Sequence, residues 1–127
     1  MIDSYVNKEI FNSNNTKLSP VIKQFLAIKE NNEDCIIFYR LGDFYELFLD
    51  DAIVGSRVLD LTLTGKDCGV GERAPMCGIP FHAYESYAQR LIERGYKVAI
   101  CEQTDEMRNG LMQREIVRII TPGTVVE

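Results

Sequence analysis

The chain predicts an α/β domain, a mixed β-sheet with flanking helices, and three observations carry that reading. Helical and strand-like periodicities alternate along its 127 residues without repeats or low complexity. Gly42-Asp43 between two apolar runs signals a tight antiparallel hairpin, while helical segments between later strands leave room for parallel pairs. The run Val98-Ala99-Ile100-Cys101 has no polar alternation, as suits a strand covered on both faces.

Each element follows from local chemistry. Residues 1–16, with Asn12, Ser13, Asn14, Asn15 and Thr16, read as a polar, flexible lead-in. Ser19-Pro20 is a helix start, Ser as N-cap and Pro at the first helical position. Val21, Ile22, Phe25, Ile28 and Lys29 then recur at helical spacing, giving a helix over 20–31 that Asn31-Asn32 ends. Residues 35–41 and 44–48 form the hairpin strands. Asp50-Asp51 suits the first turn of a helix that Ala52, Val54, Val58 and Leu59 carry onward. Leu61-Thr62-Leu63-Thr64 alternates and predicts a strand, and the glycine-rich stretch 65–73 a mobile surface loop. Residues 76–79 make a short strand closed by Pro80, and 83–94 a helix stopped by Gly95. Strands over 96–103 and 114–121 flank a polar loop at 104–113.

Composition narrows the class. With 46% hydrophobic and 26% charged residues, the chain has the make-up of a water-soluble globular domain large enough for one core. It carries neither an apolar run of membrane-spanning length nor a signal-peptide pattern, so the expected setting is cytoplasmic and away from membranes. Net charge is −5, from 14 basic and 19 acidic residues, which argues against a domain that grips nucleic acid alone. The turn-like Thr121-Pro122-Gly123-Thr124 before the last residues 125–127 reads as the start of a linker, so an N-terminal domain over 17–124 is expected. Cys35, Cys68, Cys77 and Cys101 lack metal-site spacing, and buried reduced thiols are the expectation.

The most informative stretch is Phe38-Tyr39-Arg40-Leu41-Gly42-Asp43-Phe44-Tyr45-Glu46-Leu47-Phe48, which sets charge inside an aromatic and aliphatic run. Phe44 and Glu46 lie two apart on one strand and so share a face, a flat apolar ring beside a carboxylate just past a turn. That pair suits contact with something flat and polar, such as a nucleobase. On the pattern alone, a strand half in core and half in solvent is the more usual explanation of such a pair.

Gly42-Asp43-Phe44-Tyr45-Glu46-Leu47-Phe48 resembles the Phe-x-Glu mismatch-reading motif of the MutS family of DNA mismatch-repair proteins. Pro75-Met76-Cys77-Gly78-Ile79-Pro80-Phe81-His82, Tyr96-Lys97-Val98-Ala99-Ile100-Cys101-Glu102-Gln103 and Arg118-Ile119-Ile120-Thr121-Pro122-Gly123-Thr124 resemble further family signatures, in the family's order. The resemblance covers residues 17–124. It implies that Phe44 enters the minor groove and stacks on a mispaired or unpaired base, and that Glu46 hydrogen-bonds that base. It places Leu41, Gly42 and Asp43 near the DNA as the turn presenting Phe44, and Lys66 near the DNA backbone, unless Lys66 is simply a solvated loop lysine. It implies no catalysis and no cofactor in this segment. ATP, Mg and a DNA-dependent ATPase would belong to a later domain of a homodimeric parent that works with other mismatch-repair proteins. One departure stands out: many relatives continue with Asp-Pro after the Glu102-Gln103 position, where this chain has Thr104-Asp105-Glu106-Met107, so the 104–113 conformation stays open.

Rival chemistries have weaker support. A metal nuclease could draw on Asp43, Glu46 and Asp60, but no Asp or Glu stands two residues before a Lys, a common spacing in such enzymes. A thiol enzyme would use Cys77 with His82, the single histidine, which reads better as structural. A protein-docking module is the third alternative. Gly65-Lys66 is followed by Asp67, so the phosphate-binding Gly-x4-Gly-Lys-Ser/Thr pattern is absent. Arg40 is expected to pair with a carboxylate inside the domain.

Overall fold

The structure, a computed structural model, describes residues 4–123; Met1, Ile2, Asp3, Thr124 and the expected linker at 125–127 lie outside them. Its elements are α1 (Pro20–Glu30), β1 (Cys35–Leu41), β2 (Phe44–Phe48), α2 (Leu49–Leu59), β3 (Thr64–Asp67), β4 (Arg73–Pro80), a 3₁₀ turn (Phe81–Ala83), α3 (Tyr84–Glu93), β5 (Lys97–Arg108) and β6 (Leu111–Ile120). The six strands make one sheet in the order β3-β4-β2-β1-β5-β6. β1 and β5 are parallel and the other pairs antiparallel, so the sheet is mixed, as expected.

Alternation along β1 divides the core in two. Cys35, Ile37 and Tyr39 face one layer with Ile22 and Phe25 of α1, while Ile36 and Phe38 face the other with α2 and α3 through Ala52, Leu59, Ala88 and Leu91. Both faces are therefore covered over the middle of the sheet, which explains the unbroken apolar runs of β1 and β5. β5 lies between β1 and β6, in keeping with its apolar stretch. The two layers are tied at the start of β1. The buried Asp51 carboxylate accepts Lys29 Nζ at 2.9 Å and the Ile37 amide at 3.0 Å, linking α2 to α1 and the sheet. Sequence reading had given Asp51 only a helix-end role.

Several expectations need correction. The opening segment is docked rather than loose: Phe11 is buried in the α1-side core, and Asp50 accepts hydrogen bonds from Ser4 Oγ and the Tyr5 amide. A single well-placed aromatic outweighs the polar residues around it. Ser19 precedes α1 but makes no side-chain capping bond; its amide instead donates to Cys68 O at 2.9 Å and its hydroxyl is buried without a partner. Residues 61–63 are not a strand, because Asp60 turns left-handed (φ 56°) and the Leu61 amide folds back onto Ser56 O. Strand pairing begins only at Thr64, and Gly65, Lys66 and Asp67 pair with Pro75, Ala74 and Arg73, so much of the expected 65–73 loop is a hairpin. The expected 104–113 loop is likewise a hairpin, with Asn109 (φ 51°) and Gly110 (φ 78°) as its turn. Successive left-handed residues are the type I′ signature of an Asn-Gly turn. No helix among the described residues is long and apolar enough to cross a membrane.

Candidate nucleic-acid interface

The interface begins with the β1–β2 turn. Leu41 pairs with Phe44 across a two-residue connection, and Gly42 takes φ 61°, which glycine adopts without steric cost. Both turn carbonyls are held from the α2/α3 face of the sheet. Arg40 Nε donates to Gly42 O at 2.7 Å, and the Phe81 amide donates to Asp43 O at 3.0 Å. The Arg40 guanidinium lies 4.1 Å from the centre of the Phe81 ring and pairs with Glu102 at 3.1 Å, the internal partner expected for it. Glu102 also accepts the Tyr45 hydroxyl. The hairpin tip is thus clamped on one face by Arg40, Phe81, Glu102 and Tyr45.

The other face presents Phe44 and Glu46. Along β2, Phe48 is buried beneath α1, Glu46 is half-buried, and Phe44 is 44% exposed, so the strand walks out of the core two residues at a time. Glu46 pairs with Tyr39 on one side and Gly78 on the other, and Phe44 with Leu41 and Pro80. Lys66 is half-buried on β3, the strand beyond β4. Its charge reaches Glu46: burial raises the Glu46 pKa above the usual carboxylate value, and Lys66 opposes the rise. No hydrogen bond from the described residues holds that carboxylate, and burial and Lys66 are what act on it. The fold therefore gathers Leu41, Gly42, Asp43, Phe44 and Glu46 at one end of the sheet, while Lys66, paired with Ala74, lies four positions along β4 from Gly78, toward the other end, and reaches Glu46 only through its charge.

Chemically, this is an exposed aromatic tip beside a carboxylate that is partly dried, free to hydrogen-bond and biased toward holding its proton. It can stack on a flat ring and either accept or donate at that ring's edge. The rival sites have less to offer. Cys77 is buried, its thiol directed at Ala52 O and its pKa pushed up to about 12 by burial, which makes it a poor nucleophile, while His82 is exposed beside Phe81. Asp60 caps the far end of α2, and among the described residues no three acidic, His or Cys side chains converge as metal ligands. All four cysteines are buried free thiols. Sequence reading missed Phe81, Glu102 and Gly78 as parts of the site. All three lie within the family signatures quoted above, and Gly78 also stands out as an isolated glycine within a strand pattern.

Fold and site together define a small mixed-sheet domain that displays an exposed aromatic ring beside a half-buried carboxylate. Residues 19–127 match the family model described as MutS domain I, and the chain belongs to the MutS family. It is 59% identical over 112 residues to the DNA mismatch repair protein MutS of Acetivibrio thermocellus, covering 87% of this chain and 13% of that protein. The protein of the same name from Lachnoclostridium phytofermentans is 57% identical over 110 residues, 85% of this chain and 12% of the relative. That from Clostridioides difficile is 55% identical over 113 residues, 87% and 12% respectively. The chain spans about an eighth of the length of these relatives.

Proposed function

We propose that this domain recognises mispaired and unpaired bases in duplex DNA, with Phe44 as the wedge and Glu46 as the base-reading carboxylate. The observation that carries the reading is the exposed Phe44 ring beside a half-buried Glu46 carboxylate that has no hydrogen-bond partner among the described residues, in a chain matching MutS domain I. An apolar wedge entering from the minor groove unstacks a base step at a cost of a few kcal/mol. That cost is lowest where pairing is already defective. Stacking on the ring returns about 1–3 kcal/mol whichever base is met. Phe44 therefore senses weakness rather than sequence, a form of indirect readout.

Glu46 adds a second test. Among phosphates an ionised carboxylate is repelled, which disfavours a matched duplex, whereas a displaced base offers it a hydrogen-bond partner. Burial already raises its pKa against the pull of Lys66, and nearby phosphates raise it further; both favour the protonated form, in which Glu46 would donate its proton to the base. Leu41, Gly42 and Asp43 present the wedge, and Lys66 approaches the DNA backbone. The domain itself is non-catalytic and cofactor-free. The rest of the parent protein supplies the grip on phosphates that a net charge of −5 denies this segment, together with an ATPase using ATP and Mg, a homodimer interface, and contacts to other repair proteins in the cytoplasm.

The test is fluorescence anisotropy with the full-length protein on a G·T or single-base-loop duplex and its matched control, at one stated salt concentration. Wild type prefers the defect, and Phe44→Ala loses about 1–3 kcal/mol of that preference. Equal binding of both duplexes by both proteins would overturn the mismatch-reading function.

A further inference from the structure

Gly78 lies within β4, directly across from Glu46 on the neighbouring strand. A glycine inside a strand weakens it and needs a reason. Turn geometry is not the reason, since Gly78 is absent from the glycines with positive φ. Its missing side chain is what matters: a Cβ built there would stand 3.1 Å from both Oε1 and Oε2 of Glu46 and 3.4 Å from its Cδ. The carboxylate therefore lies flat over the glycine, both oxygens equidistant from the place where any other residue would carry a carbon. Other glycines are also closely approached, Gly55 by Leu47, Gly65 by the Arg73 side chain and Gly69 by Lys17 O, but at Gly78 the group that approaches is a carboxylate.

We propose that Gly78 is the positioning residue for Glu46, a side-chain-free seat on β4 that fixes the depth and tilt at which the carboxylate meets a base. The proposal rests on the reading of Glu46 given above and adds a second residue to it. Leu41 and Tyr39 bound the seat from β1, Phe44 from the solvent end of β2, and Lys66 supplies the facing charge from β3. A larger residue at 78 leaves the backbone unstrained but lifts the carboxylate off the sheet, toward solvent and away from its present half-buried position. Specificity then falls although neither Phe44 nor Glu46 has been changed.

The experiment uses the full-length protein and measures the ratio of affinities for a single-base-loop duplex and its matched control at fixed salt. Glu46→Ala is expected to lower the ratio by up to about tenfold, the upper worth of one neutral hydrogen bond. Gly78→Val is expected to come within about threefold of Glu46→Ala, with Gly78→Ala intermediate, and Gly78→Ala is expected to add nothing in the Glu46→Ala background. Thermal midpoints of the Gly78 variants should equal or exceed wild type, because a Cβ in a strand interior favours the extended chain. An unchanged ratio for Gly78→Val, or the same loss with and without Glu46, overturns the seat. A crystal structure of free Gly78→Val separates the two ideas. If Glu46→Ala leaves the ratio intact, the base-reading role fails, while a displaced Glu46 carboxylate in that crystal still upholds the seat. A carboxylate in its original place overturns it.

Discussion

At the scale of single residues, Glu46 differs from an ordinary surface carboxylate by what surrounds it rather than by what it touches. Burial lifts its pKa, Lys66 draws it back, and no hydrogen bond from the described residues fixes either protonation state. The sign has two consequences. A carboxyl whose folded pKa exceeds its unfolded value binds protons more tightly in the native state, so its ionisation costs stability as pH rises through that raised pKa. Glu46→Gln should remove this part of the pH dependence of unfolding, measured by denaturant midpoints from pH 4 to 8. For recognition, a proton-donating Glu46 predicts that wild-type preference for a mismatch strengthens as pH falls from 8 toward the Glu46 pKa. Glu46→Gln, which donates at every pH, should keep the preference and show a flat profile. Loss of mismatch binding by Glu46→Gln at neutral pH would rule out the proton-donor role.

At the scale of elements, two hairpins behave differently. The β1–β2 turn is short and externally braced, since Arg40 and Phe81 between them satisfy the carbonyls of Gly42 and Asp43. Such bracing would suit the wedge role proposed for Phe44, since a ring entering a base stack must not fold back. Arg40→Lys keeps the charge but loses the planar fork that stacks on Phe81 while reaching Gly42 O and Glu102. Its predicted effect is a mismatch preference about three- to tenfold lower with little change in binding to matched duplex, read by the same anisotropy comparison. The β5–β6 hairpin extends past the core into solvent, carrying Thr104, Asp105, Glu106, Met107 and Arg108 on strand β5. It stands on its left-handed Asn109-Gly110 turn, so Gly110→Val should destabilise it by about 1–2 kcal/mol. Hydrogen exchange should rise locally in 104–113 with the β1–β2 hairpin unaffected.

At the scale of the whole molecule, charge and core architecture set the limits. A net charge of −5 leaves few phosphates to be neutralised by this segment. Its own affinity for DNA at physiological salt should sit in or below the non-specific range, about 10⁻⁴–10⁻⁶ M. Submicromolar binding by the isolated segment would contradict that assignment. The two-layer core depends on Asp51, whose burial raises its pKa despite Lys29 at 2.9 Å. Asp51→Ala leaves the buried Ile37 amide without its acceptor and Lys29 Nζ with Cys35 O alone, and should cost about 1–3 kcal/mol in chemical denaturation.

Much of this was written in the chain order. Apolar periodicity set the helices and most strands, Gly42-Asp43 set the hairpin, and the period-two geometry of a strand put Phe44 and Glu46 on one face. The hairpin at 104–113 was read as a loop although Asn109-Gly110 signals a turn, because its polar strands lie beyond the core and carry no apolar alternation to announce them. The pairing of 65–67 with 73–75 was hidden for a similar reason: it is local, but Gly65, Lys66 and Asp67 carry no apolar alternation and read as loop residues. Sequence could not show that Phe11 would anchor the opening segment, that Asp51 would be buried, or that Gly78 would lie beneath Glu46. Local rules act between residues a few positions apart and can be read from order alone. The burial of a charge, the depth of a carboxylate and the fit of a glycine beneath it are set by chain segments tens of residues away, and only the folded arrangement decides them.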